Sequence, residues 1–148
     1  MAKMRGGEGV ERALRAISEN ISKTATLRVG FLEGATYPDG TPVAMVAAIQ
    51  EFGAPRAGIP PRPFFRNMIA RKSPEWPDAI GALLKANNYD LARTFAQAGE
   101  AIAGQLRQSI VDTNSPALAE STVRRKGFSK PLVDTGQMLN SVDHEVKS

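Results

Sequence analysis

Four prolines (Pro55, Pro60, Pro61 and Pro63) crowd into the stretch Gln50–Met68, QEFGAPRAGIPPRPFFRNM, and constrain what this chain can fold into more than any other feature. Proline holds φ at about −65° and drives its predecessor out of the helical region, so residues 54–63 are predicted to be a stiff, extended arm. The arm joins a helical pattern that stops at Gly53 to another that starts near Pro63. Arg56, Arg62 and Arg66 fall within the stretch, and no acidic residue follows Glu51 until Glu75. Two readings stay open at this point: a connection between helices, or a presented contact element of the kind that ordered loops provide.

The remaining chain organises around that arm. Residues 1–7 are expected to be a flexible N-terminus, and 8–148 one α+β domain with a modest core. Val10, Leu14, Ile17 and Ile21 recur at helical spacing and predict an amphipathic helix over 8–22. Leu27, Val29 and Phe31 alternate with polar or small residues, as in a half-buried strand, and Pro38-Asp39-Gly40 supplies turn chemistry. Thr41-Pro42 is expected to cap a helix with an alanine-rich face against the strand, ended by Gly53 in a left-handed cap. Phe64, Phe65, Met68 and Ile69 mark the inner side of a short helix, the two phenylalanines being core anchors, and Pro74 and Trp76-Pro77 interrupt the segment after it. The longest helix is predicted near 88–112, with Leu91, Phe95, Ala98, Ile102, Leu106, Ser109 and Ile110 along one face. Gly99 and Gly104 weaken it locally by about 1 kcal/mol each, unless they permit a close crossing. A further helix is expected from Ser115-Pro116 to Lys126, ended by Gly127. Asp134 and Gln137 match a capping box for a helix over 134–140, and Val142, His144 and Val146 alternate as a terminal strand that can pair with 26–32 or with a neighbouring subunit. The resulting fold class is α+β: a small antiparallel sheet flanked by several helices, the helix at 8–22 among them.

Composition excludes much of chemistry. The chain has no cysteine and one histidine, His144, which removes disulfides, thiolates, histidine triads and multi-histidine metal centres. Acidic residues are scattered singly, and no phosphate-binding glycine loop, calcium loop or nucleophile elbow is present. These features predict a protein that is not an enzyme and takes no cofactor or metal. No apolar run spans a membrane or forms a signal core, so a soluble protein is expected. The net charge of +4 is mild, but basic residues cluster in two windows, 56–72 (Arg56, Arg62, Arg66, Arg71, Lys72) and 124–130 (Arg124, Arg125, Lys126, Lys130). They are solvated faces, or they meet an acidic partner or a phosphate backbone.

Two motifs carry a resemblance. The first is Glu51-Phe52-Gly53 followed by Ile59-Pro60-Pro61-Arg62-Pro63-Phe64 and Arg66. The second is Ser121-Thr122-Val123-Arg124-Arg125-Lys126-Gly127 followed by Lys130-Pro131-Leu132-Val133-Asp134-Thr135-Gly136-Gln137-Met138-Leu139-Asn140-Ser141-Val142. In order and spacing they resemble the virion-morphogenesis proteins of long-tailed bacteriophages, the tail-completion or neck components that join the tail to the head connector. The resemblance covers residues 8–146; the Ser73–Pro77 interruption and the long helix near 88–112 are departures from it.

The resemblance implies a structural, non-catalytic protein forming a ring, hexameric in preference to dodecameric, around the channel through which DNA passes. Its partners would be copies of itself, adjacent neck or connector proteins and tail-tube proteins, with DNA only in transit and no membrane. The expected location is the head–tail junction of the virion, and the host cytoplasm during assembly. The implied subunit contacts lie on the arm (Phe52, Arg56, Ile59, Pro60, Pro61, Arg62, Arg66) and on the second segment (Arg124, Arg125, Lys126, Asp134), with Phe64 and Phe65 in the core beneath. A ring needs two different complementary patches on each subunit, and arginine suits such contacts because its planar fork pairs carboxylates in two-point fashion. The alternative is a DNA-binding accessory protein using the two basic windows, which would show a steep salt dependence. An unrelated host α+β domain is the third possibility.

Overall fold

The computed structural model describes residues 7–114 and 131–147. In chain order the elements are α1 (Gly7–Ser22), β1 (Thr26–Phe31), α2 (Val43–Phe52), α3 (Phe64–Lys72), α4 (Trp76–Ala86), α5 (Leu91–Asn114), α6 (Pro131–Ser141) and β2 (Val142–Lys147). Single 3-10 turns occupy Pro55–Ala57 and Ser73–Glu75. The architecture is α+β, with a two-stranded antiparallel sheet and one long helix, and no described helix is long and apolar enough to cross a membrane.

The long helix α5 is the spine. Asp90 starts it: its Oδ1 accepts the Arg93 N–H at 3.1 Å, satisfying one of the donors that a helix start leaves orphaned. Ala98, Ile102, Ala103, Leu106 and Ile110 are buried along one face, in line with the predicted stripe. Ser109 is buried with them because its hydroxyl donates to the Phe64 carbonyl at 2.6 Å. Across this face lies the sheet, β1 and β2 pairing from Thr26↔Lys147 to Phe31↔Val142. A two-stranded sheet is marginal alone, and this one is held by packing on α5. Gly99 makes that packing possible: a Cβ there would fall 2.6 Å from Cδ2 of His144 and 2.8 Å from Cδ1 of Leu27. A Cβ on Gly104 would meet nothing within 4 Å, so the two glycines of one helix have unrelated causes.

The core is completed by Val43 and Ala47 from α2, Phe64 and Met68 from α3, Met138 from α6 and Val142 from β2, with Phe31, Phe65, Trp76 and Leu139 packed at its edges. Phe31 meets Phe64 edge to face at 6.2 Å between centroids. Helix α2 lies against α3 and α6 rather than flat on β1, so only part of its alanine face is buried: Ala47 enters the core, while Ala44 and Ala48 stay exposed.

Several local expectations change. Helix α2 starts at Val43 with Pro42 as cap and without a side-chain cap bond; Thr41 instead donates its N–H to Asp39 Oδ1 at 2.9 Å. That bond holds the Asp39 carboxyl below the ordinary acidic range. Trp76-Pro77 does not interrupt a helix but opens α4, since proline is tolerated in a first turn, where the N–H has no partner to lose. Helix α6 begins at Pro131, so Asp134 lies inside the helix rather than at its cap. The helix expected over 115–126 falls outside the described residues.

Helix α1 forms as predicted but does not flank the sheet. Among the described residues it makes no extensive packing against another element, and Asn20 Nδ2 donating to the Asn88 carbonyl at 3.3 Å ties down its C-terminal end. The first half of its apolar stripe is open to solvent, Val10 being 56% and Leu14 60% exposed, while Ile17 is half-buried.

Candidate protein interface

The segment 54–63 is a folded corner over its first half. Ala54 and Ile59 exchange two backbone hydrogen bonds, of 2.9 and 3.1 Å, around the 3-10 turn at Pro55–Ala57. The Arg62 N–H then donates to the Gln50 carbonyl at 2.6 Å, turning the chain back along the end of α2. Gly53 enables the reversal with φ 74° and ψ 177°, a region outside the left-handed cap that was expected and open essentially to glycine alone. A Cβ there would lie 2.8 Å from both the Ile59 carbonyl oxygen and the Pro61 nitrogen. Both neighbours are backbone, so neither can step aside.

Glu51 fastens the corner. Helix α3 has Pro63 at its cap position and no side-chain cap of its own, which leaves its first N–H groups without partners. The Glu51 carboxylate supplies them, accepting the Phe65 N–H at 2.9 Å and the Arg66 N–H at 3.0 Å. Arg66 completes a two-way clamp: its Nε donates to Glu51 Oε1 at 2.8 Å and its Nη2 to the Glu51 carbonyl at 2.9 Å. One ion pair thus satisfies orphan groups at the start of α3 and the end of α2. The Glu51 side chain is only 8% exposed, whereas that of Arg66 is 58% exposed. The Arg66 guanidinium sits 5.1 Å from the centre of the Phe52 ring, within cation–π range.

Phe52 is 65% exposed, although it is the largest apolar side chain on this corner that the core leaves uncovered. Behind it runs an apolar groove of about 290 Å³. Ala44, Ala47 and Ala48 make the floor, Phe31, Phe52, Phe64 and Phe65 the walls, and Glu51 and Arg66 close one end. Aromatic side chains and arginine beside a shallow apolar floor are the composition that protein–protein contacts favour. Among the described residues no group of three or more His, Asp or Glu side chains is placed to hold a metal ion.

The predicted contact residues separate accordingly. Phe52 and Arg66 touch each other; Arg56, Ile59, Pro60 and Pro61 are exposed on the turn; Arg62 is half-buried behind it. Phe64 is fully buried, and Phe65 is half-buried at the groove wall. Arg124, Arg125 and Lys126, with the rest of the window 124–130, lie outside the described residues, and for Asp134 only the backbone in α6 is described. In the other window, Arg71 and Lys72 line a second groove of about 320 Å³ between α3 and α5. Sequence reasoning missed Glu51 as the organiser of the corner, because its partners lie fourteen and fifteen residues away across a loop. The available signal was a lone acidic residue followed by a long acid-free, arginine-bearing window. Comparison with protein-family models, curated proteins and solved structures returns no match for this chain.

Proposed function

We propose that this chain is a structural virion protein of a long-tailed bacteriophage, a tail-completion or neck component that forms a ring at the head–tail junction. In this role it binds copies of itself, six in preference to twelve, along with the adjacent connector and tail-tube proteins, while DNA passes through without being gripped. The observation that carries the reading is the α2–α3 corner. Residues of the first resembling motif build it: Glu51 and Arg66 lock it, Gly53 turns it, and Phe52 is held out on its surface beside an apolar groove. A corner fixed this way has little ordering entropy left to lose on docking, which favours a presented contact over a mere connection.

Mass photometry of the purified protein, with rotational averaging of particle images, tests the reading. The expected result is one closed oligomer of defined symmetry, and the protein present in purified virions. A chain that is monomeric at every concentration and absent from virions would sink it. Deleting the gene is expected to leave filled heads and tails that do not join, or tails of uncontrolled length.

A further inference from the structure

The ring reading leaves open which surfaces of neighbouring copies meet, and the structure holds two uncovered apolar surfaces that match. We infer that α1 of one copy lies along α2 of the next, with Val10, Leu14 and Ile17 seated in the groove floored by Ala44 and Ala48. The inference rests on the ring reading and adds the identity of its interface.

Lengths agree first. Val10 to Ile17 covers about 10 Å of helix and Ala44 to Phe52 about 12 Å, at the 1.5 Å rise of an α-helix. Surface chemistry agrees next. The alanine floor lets a second helix approach to the short end of the usual interaxial range, about 8 Å. The stripe offers branched aliphatic side chains to fill the space between the phenylalanine walls. Val10 and Leu14 are exposed in their own subunit and Ile17 is half-buried; the helix has no extensive packing against another described element, and the groove stays open beside Phe52.

Charge and topology point the same way. Glu11 borders the stripe on α1, and the groove ends at Arg66, whose Nε and Nη2 are held by Glu51 while its Nη1 has no described partner and the side chain is 58% exposed. Helix α1 leads into β1 at Thr26, while Phe31, which lines the groove, ends that strand about 17 Å away. Helix and groove are therefore different patches at opposite ends of β1. Pairing one with the other between copies is heterologous, the arrangement that closes into rings.

The chain has no cysteine, so introduced thiols report on single positions. Ala13→Cys beside the stripe and Ala48→Cys on the groove floor both alter exposed residues. The two variants, purified separately as full chains and mixed, are treated with a short bis-maleimide. Covalent dimer is expected about tenfold faster from the mixture than from either variant alone, because docking raises the local thiol concentration toward the millimolar range. The double variant should give a ladder of linked subunits up to the full ring. Rings without cross-linking in the mixture would overturn this pairing and leave the ring reading standing. Linkage within a single chain of the double variant would mean that each helix fills its own groove, and equal linkage of Ala13→Cys alone would mean helix-to-helix pairing; both overturn the inference. A wild-type chain that is monomeric throughout overturns the ring reading as well.

Discussion

At Gly53 a single methyl group would strike the backbone of Ile59 and Pro61 at 2.8 Å while φ stays at 74°. Gly53→Ala is expected to cost about 3 kcal/mol in chemical denaturation, from strain and overpacking together. Gly99 and Gly104 offer a contrast inside one helix. Gly99→Ala pushes a Cβ into His144 and Leu27 and should destabilise by about 1–3 kcal/mol. Gly104→Ala enters open space and should stabilise by about 0.5–1 kcal/mol through helix propensity alone. Thermal melts of the two variants should shift in opposite directions. Sequence spacing shows two glycines in a helical stripe and cannot separate them, because the difference is a strand that arrives from the far end of the chain.

Between elements, the Glu51 clamp joins α2 to α3, and Glu51→Ala strips two N–H groups and one guanidinium of their acceptor. With charge-assisted bonds at this site, a loss of about 2–4 kcal/mol is expected, measurable by urea unfolding. Helix α1 behaves otherwise. Leu14 is exposed within the subunit, so Leu14→Asp should change subunit stability by less than about 0.5 kcal/mol while abolishing the proposed ring in mass photometry. A drop in both together would show the stripe to be buried within its own chain. Periodicity was sufficient to place α1, α5 and both strands, since each follows from its own residues. It assigned α1 to the sheet because an apolar stripe implies a cover without saying which surface provides it.

For the molecule as a whole, the contest is between protein contact and nucleic-acid binding. The first basic window is spread rather than focused: Arg66 is committed to Glu51, Arg62 is half-buried, and Arg71 and Lys72 face a separate groove between α3 and α5. Duplex DNA binding through this window should therefore be weak, contributing a log–log salt slope no steeper than about −2, against about −5 if six cations of both windows each neutralised a phosphate. Fluorescence anisotropy across a salt series measures it, and a slope near the steeper value would favour the DNA-binding alternative. By itself the sequence determined the α+β class, the long spine helix with its buried face, the strand at each end of the chain and a proline-constrained segment after α2. Those depend on periodicity and on the fixed φ of proline, which act over a few residues. Only the tertiary structure decided that the segment folds back on Gly53, that Glu51 starts a helix fourteen residues away, that Gly99 rather than Gly104 admits the sheet, and that Val10 and Leu14 of α1 and the Phe52 groove are left uncovered by the described residues. Burial and capping across a loop belong to pairs of surfaces, and a single segment specifies only its own half of each pair.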